Sequence, residues 1–159
     1  MLTHAIARRL LRGLLLWLAA TATIAAAAPI GPPTRPPNIV LIVADDLGYG
    51  DLGCYGQTII RTPRLDAMAA QGLRMTDFHA GAPVCAPSRC TLITGRHSGH
   101  AFVRDNLEVQ PEGQIALPAR AVTLPGELRA LGYATGATGK WGLGSPGSSG
   151  DPTNQGFDF

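Results

Sequence analysis

Apolar residues follow three patterns along the chain: one long run near the N-terminus, one short β-branched run, and two stretches at helical spacing that end in glycine. The first run, Leu14 to Ala28, follows Arg8, Arg9 and Arg12 and finishes in small residues. A basic start, an apolar middle and a small-residue end have the form of a secretory signal peptide. Residues 1–28 are therefore expected to be a leader, cleaved near Ala26–Pro29. Its length of 15 residues falls short of the roughly 20 that a spanning helix needs, so no stable membrane anchor is expected. The adjacent arginines suit either a general or a twin-arginine export signal, and both imply export machinery as a partner and a periplasmic or secreted location. Pro29 to Pro37 holds five prolines, which predicts an extended linker over residues 29–37. The folded part should then cover residues 38–159.

The second pattern, Ile39-Val40-Leu41-Ile42-Val43-Ala44, is a continuous run of the kind buried on both faces of a parallel sheet. The third predicts helices. Thr62-Pro63 is a cap followed by a proline at the first helical position, with Leu65, Met68 and Ala69 at helical spacing before Gly72. Thr123 to Gly132 repeats that arrangement. Between them, Pro87 suits a first helical position, Ser88 to Thr94 a short helix and Gly95 a left-handed stop. Leu73 to Ala80 and Tyr133 to Thr138 read as strands, and residues 105–121 as a polar, irregular surface loop. Two helix–glycine–strand units predict an α/β fold with a mostly parallel central sheet flanked by helices.

Composition narrows the partners. Forty-five per cent apolar and 15% charged residues describe a globular chain. The formal charge of +2 falls by three to −1 once the leader arginines are set aside, and no basic patch for nucleic acid is left. Cys54, Cys85 and Cys90 have no metal-type spacing. Cys54 and Cys90 could pair or stay as buried thiols, and the sequence leaves both open.

Candidate chemistry lies at three places. Cys85 falls at the start of the short helix, where unpaired backbone N–H groups favour negative charge. Arg89, four residues on, shares its face and adds a fixed positive charge. A lone cysteine there is more often a buried cap residue. Asp45 and Asp46 follow the apolar run, at the strand end where open α/β sheets place ligands. Adjacent carboxylates of this kind suit Ca²⁺ or Mg²⁺, or simply begin a loop. His97 and His100 lack a third partner for zinc, and His79 reads as structural. Ala134 to Trp141 is nearly a phosphate loop, but Trp141 stands where a magnesium-binding Ser or Thr is required.

Cys85-Ala86-Pro87-Ser88-Arg89, extended through Leu92, Thr94, Gly95 and Arg96, resembles the signature of the type I, formylglycine-dependent sulfatases of the alkaline-phosphatase superfamily. Asn38 to Gly56 is similar to that family's first block, Gly139-Lys140-Trp141-Gly142-Leu143-Gly144 to a later one, and Gly156-Phe157-Asp158-Phe159 to the next. The resemblance implies the N-terminal part of a sulfatase fold, truncated after 159 residues and inactive alone. It implies that a separate maturation enzyme oxidises Cys85 to Cα-formylglycine, whose hydrate attacks a sulfate ester. It further implies that Asp45, Asp46 and the modified Cys85 bind a divalent cation (Ca²⁺, with Mg²⁺ as the alternative), and that Arg89 and Lys140 hold the sulfate. Many members carry His where this chain has Gly142. Two other expectations stand beside this one: a phosphate or phosphonate ester hydrolase of the same superfamily, or a non-catalytic remnant acting as a binding module.

Overall fold

The computed structural model describes residues 35–110 and 113–159. The chain divides into two units, Met1–Val43 and Ala44–Phe159. The expected leader and most of the linker lie outside the described residues, and Arg35 to Pro37 are exposed. In the first unit Ile39 to Val43 are 56–82% exposed and make no backbone hydrogen bond among the described residues. The strand expected over 39–44 is therefore not formed. A strand exists only through the ladder it shares with a neighbour, and no described residue supplies one.

The same reason accounts for the second unit, where the described residues contain no strand and a single isolated antiparallel bridge joins Glu108 to Gln114. Leu73 to Ala80, expected as a strand, is exposed and irregular. Tyr133 to Thr138 is tied down differently. Asp158 N donates to Thr135 O at 2.8 Å and Ala137 N to Phe159 O at 3.0 Å, without a ladder. No parallel sheet is seen among the described residues.

The helices follow the sequence more closely. Helix α1 (Pro63–Gln71) starts after Thr62 with Pro63 at its first position. The Thr62 hydroxyl does not cap it. It accepts from Gly53 N at 2.8 Å and donates to Asp66 Oδ1 at 3.0 Å, while the same Asp66 oxygen accepts from Cys54 N at 2.7 Å. Residues expected to stabilise a helix start thus pin the 3-10 turn Gly53–Tyr55 against α1.

Helix α2 (Cys85–Thr94) begins two residues before the expected proline. Pro87 is its third residue, where the missing N–H would have had no intrahelical acceptor. Gly95, at φ +65°, ends the helix in the left-handed region as expected. The inner face of α2 carries the core: Ala86 and Cys90 pack with Ala101, Val103, Leu117 and Leu143, and Phe102, Ile115 and Trp141 close over them. Each fully buried leucine contributes roughly 1.5–3 kcal/mol. Ile115 and Leu117 belong to the stretch expected as a surface loop, so that expectation is corrected: the loop threads two apolar anchors into the core. Its backbone is satisfied there by Leu117 N donating to Leu143 O at 2.8 Å. All three cysteines are free, and buried Cys90 accepts a hydrogen bond from Val103 N at 3.4 Å.

Helix α3 (Leu124–Ala130) is capped by Thr123, whose hydroxyl accepts from Gly126 N at 3.3 Å and donates to Gln155 O at 2.6 Å. The chain end is held by carboxylates. Asp158 accepts from Thr135 N at 2.9 Å and faces Arg129 Nε at 3.3 Å. The Thr135 N–H above all, with the Thr135 hydroxyl and Arg129, holds the Asp158 carboxyl below its ordinary range. Asp151 is lowered likewise, chiefly by the Gly147 N–H. A carboxylate with a depressed folded pKa lends stability that is present above its unfolded value, about 3.9, and lost as the pH falls through the folded one. Thermal melting of the full protein across this range should show Tm dropping below about pH 4. Asp158→Asn should lower Tm at neutral pH and flatten that acid drop. No helix among the described residues is long and apolar enough to cross a membrane.

Candidate active site

Helix α2 sets the geometry. Val84, in extended conformation, is its N-cap, so Cys85 is the first helical residue and stands among N–H groups that the helix itself leaves unpaired. Ala86 N finds its acceptor outside the helix, in Asn106 Oδ1 at 3.0 Å. The other end of the same amide, Nδ2, donates to Cys85 Sγ at 3.2 Å. The Cys85 thiol is only partly covered by protein. Its pKa lies below the ordinary thiol value, first because of the Asn106 hydrogen bond and then because of the Lys140 charge and the N–H groups of Cys85 and Ala86; partial desolvation opposes them.

One turn along, Arg89 lies with its side chain only 15% exposed, and its Nη2 donates to Asp45 Oδ1 at 2.9 Å. Lys140 Nζ donates to the other oxygen, Asp45 Oδ2, at 3.2 Å. One carboxylate thus gathers two cations from segments 44 and 95 residues away in sequence. The carboxylate and the ammonium are at least half exposed, and ion pairs of that exposure are worth about 0–1 kcal/mol. The cluster therefore serves charge placement more than stability. Gly142 adjoins it at φ +73°, and a Cβ there would stand 3.2 Å from Arg89 Nη1. Glycine lets the backbone turn close to the guanidinium without crowding it.

Asp46, the second expected ligand, adopts φ +55° and is the one non-glycine residue in the left-handed region among those described. Such a conformation costs roughly 1–2 kcal/mol and concentrates at functional sites. Asp46 joins none of the ion pairs among the described residues. No group of three His, Cys, Asp or Glu side chains among the described residues is placed to hold a metal ion. His79 pairs with exposed Asp77 at 2.7 Å, and His97 Nδ1 accepts from Gly99 N within its own turn.

The structure thus brings Asp45, Arg89 and Lys140 together and sets Cys85 within reach of the Lys140 charge. Asn106 is the residue that sequence reasoning missed. It lies in an irregular stretch, 21 residues after its partner, and no periodicity or spacing marks it.

Comparison with known proteins fits this arrangement. Residues 37–159 match the family model described as Sulfatase. The chain is 48% identical over 147 residues to arylsulfatase A of Homo sapiens, covering 92% of this chain and 27% of that protein. It is 47% identical over 123 residues to steryl-sulfatase of Mus musculus, covering 74% of this chain and 19% of the relative. Among solved structures, the crystal structure of Ps i-CgsB superposes with a TM-score of 0.69 at 38% identity, over 78% of this chain and 27% of that one. The chain therefore spans about a fifth to a quarter of the length of these proteins. A match that runs unbroken from residue 37 to residue 159, across every segment that meets around Asp45, makes this chain a member of the sulfatase family.

Proposed function

We propose that the full protein hydrolyses sulfate esters, with residue 85 as its nucleophile and Arg89 and Lys140 as the groups that hold the sulfate. The observation that carries this reading is the meeting of both cationic side chains at Asp45, close to the N-terminal end of α2. A sulfate monoester spreads its negative charge over three oxygens, which the planar fork of a guanidinium matches better than a point charge does. Prearranged donors of this kind usually supply the largest part of catalysis. The well-packed Arg89 keeps its place while the more exposed Lys140, on a four-carbon stem, adjusts to the anion.

Asp45 and Asp46 fit a hard divalent cation, Ca²⁺ or Mg²⁺, by donor chemistry. Asp45 is half exposed and, among the described residues, satisfied by side-chain cations alone, which an ion could replace and thereby free for substrate. These two residues, with the oxygen that oxidation would put at position 85, would hold the ion as part of a larger ligand set. When bound, it would supply Lewis-acid polarisation of oxygen. We take Cys85 to be converted to Cα-formylglycine by a separate maturation enzyme, and the hydrated aldehyde supplies one hydroxyl for attack and a second for release of sulfate. Export to the periplasm or exterior by a cleaved leader, and pairing of residues 39–44 within a mostly parallel sheet of the whole fold, belong to the same reading.

The test compares an aryl sulfate with an aryl phosphonate on the full protein made together with a maturation enzyme. The sulfate should be preferred in kcat/KM by at least about 10²-fold. The reverse preference would indicate a phosphate or phosphonate ester hydrolase, and turnover of neither a binding module. Mass spectrometry of the tryptic peptide should find an aldehyde at residue 85. A plain thiol would end the formylglycine assignment.

A further inference from the structure

We propose that Asn106 is a positioning residue for the nucleophile: one side-chain amide fixes both the start of α2 and the reactive atom carried by residue 85. The proposal rests on the sulfatase reading above and names a residue which that reading does not use.

The two ends of an amide are not interchangeable. One accepts and the other only donates. Ala86 is almost wholly buried, so its N–H needs a partner. Asn106 Oδ1, at 3.0 Å, is that partner. With the oxygen committed, the donor end must face residue 85, where it lies 3.2 Å from Sγ. Two bonds at opposite ends of a planar group leave it a single orientation. The Asn106 backbone is restrained as well, because its N–H donates to Asp105 Oδ1 at 2.8 Å. The segment bearing it is anchored further on by Ile115 and Leu117 in the core. A donor held this way presents an N–H to whatever acceptor atom stands on the β-carbon of residue 85, sulfur or oxygen. It can thereby select one rotamer of that side chain and favour negative charge on the atom.

The experiment uses the full protein with residue 85 oxidised and an aryl sulfate as the probe. Asn106→Asp keeps an acceptor for Ala86 N–H and removes the donor, whereas Asn106→Ala removes both. Asn106→Asp should lower kcat by roughly 10–100-fold with KM changed less than about threefold, the pattern of an interaction that matters in the transition state and not in binding. Hydrogen exchange at the Ala86 amide should quicken in Asn106→Ala and stay as in the parent in Asn106→Asp. Mass spectrometry should find residue 85 equally oxidised in all three proteins. An unchanged kcat in Asn106→Asp, unaltered Ala86 exchange in Asn106→Ala, or a kcat loss matched by lower oxidation would each overturn the proposal. If the parent turns over and Asn106→Asp equals it, the clamp alone fails. If the oxidised parent does not turn over, the sulfatase reading fails and takes the clamp with it.

Discussion

Cys85→Ala in the full protein should abolish turnover of an aryl sulfate, by at least about 10⁴-fold in kcat, as expected when a nucleophile is removed. The side chain is partly exposed at the first turn of α2, so the substitution opens no core cavity and the fold should melt as before. Loss of activity with an unchanged Tm would separate chemistry from stability. Cys85→Ser is the sharper variant. A serine hydroxyl could accept the sulfuryl group but has no second hydroxyl on the same carbon with which to expel it. It should give at most a trace of turnover and should trap a sulfate ester visible by mass spectrometry. Steady turnover by either variant would remove residue 85 from the reaction.

Asp45→Asn should have the next largest effect. It keeps the shape of the side chain and deletes the charge to which both Arg89 Nη2 and Lys140 Nζ donate. On the reading proposed above, it also deletes one of two adjacent hard ligands. A fall of about 10²–10³ in kcat/KM is expected, together with a rise in the Ca²⁺ or Mg²⁺ concentration needed for half-maximal activity. Stability should change by no more than about 1 kcal/mol, because the Asp45 carboxylate is half exposed and the isosteric amide keeps an acceptor oxygen for the cations. Full activity at an unchanged cation requirement would exclude Asp45 from the site.

Helices were legible because their signals are local. Thr62-Pro63, Thr123-Leu124-Pro125 and Gly95 mark boundaries without reference to the rest of the chain, and the elements lie where those residues put them. The start of α2 shifted to Cys85 because a proline is tolerated at several first-turn positions and so fixes a boundary only loosely. Strands were not legible in this sense. Ile39 to Ala44 has the composition of a buried strand, but strand formation depends on a neighbour that the segment does not contain. Leu117 looked like a loop residue because only its long-range contacts bury it. Of the site, Cys85 and Arg89 could be related by helical spacing. That Asp45 and Lys140 join them was suggested only by resemblance to known sulfatases, since no periodicity links residues 95 positions apart. Asn106 had neither kind of signal.

The exposed run Ile39 to Val43 bears on how such a chain behaves during synthesis. Five consecutive aliphatic residues without a charge, proline or glycine make the kind of segment that stacks into dry, self-complementary sheets when nothing covers it. Until a partner reaches it, this stretch is an aggregation hazard for the nascent protein, and Arg35 with its flanking prolines is the nearest gatekeeper upstream.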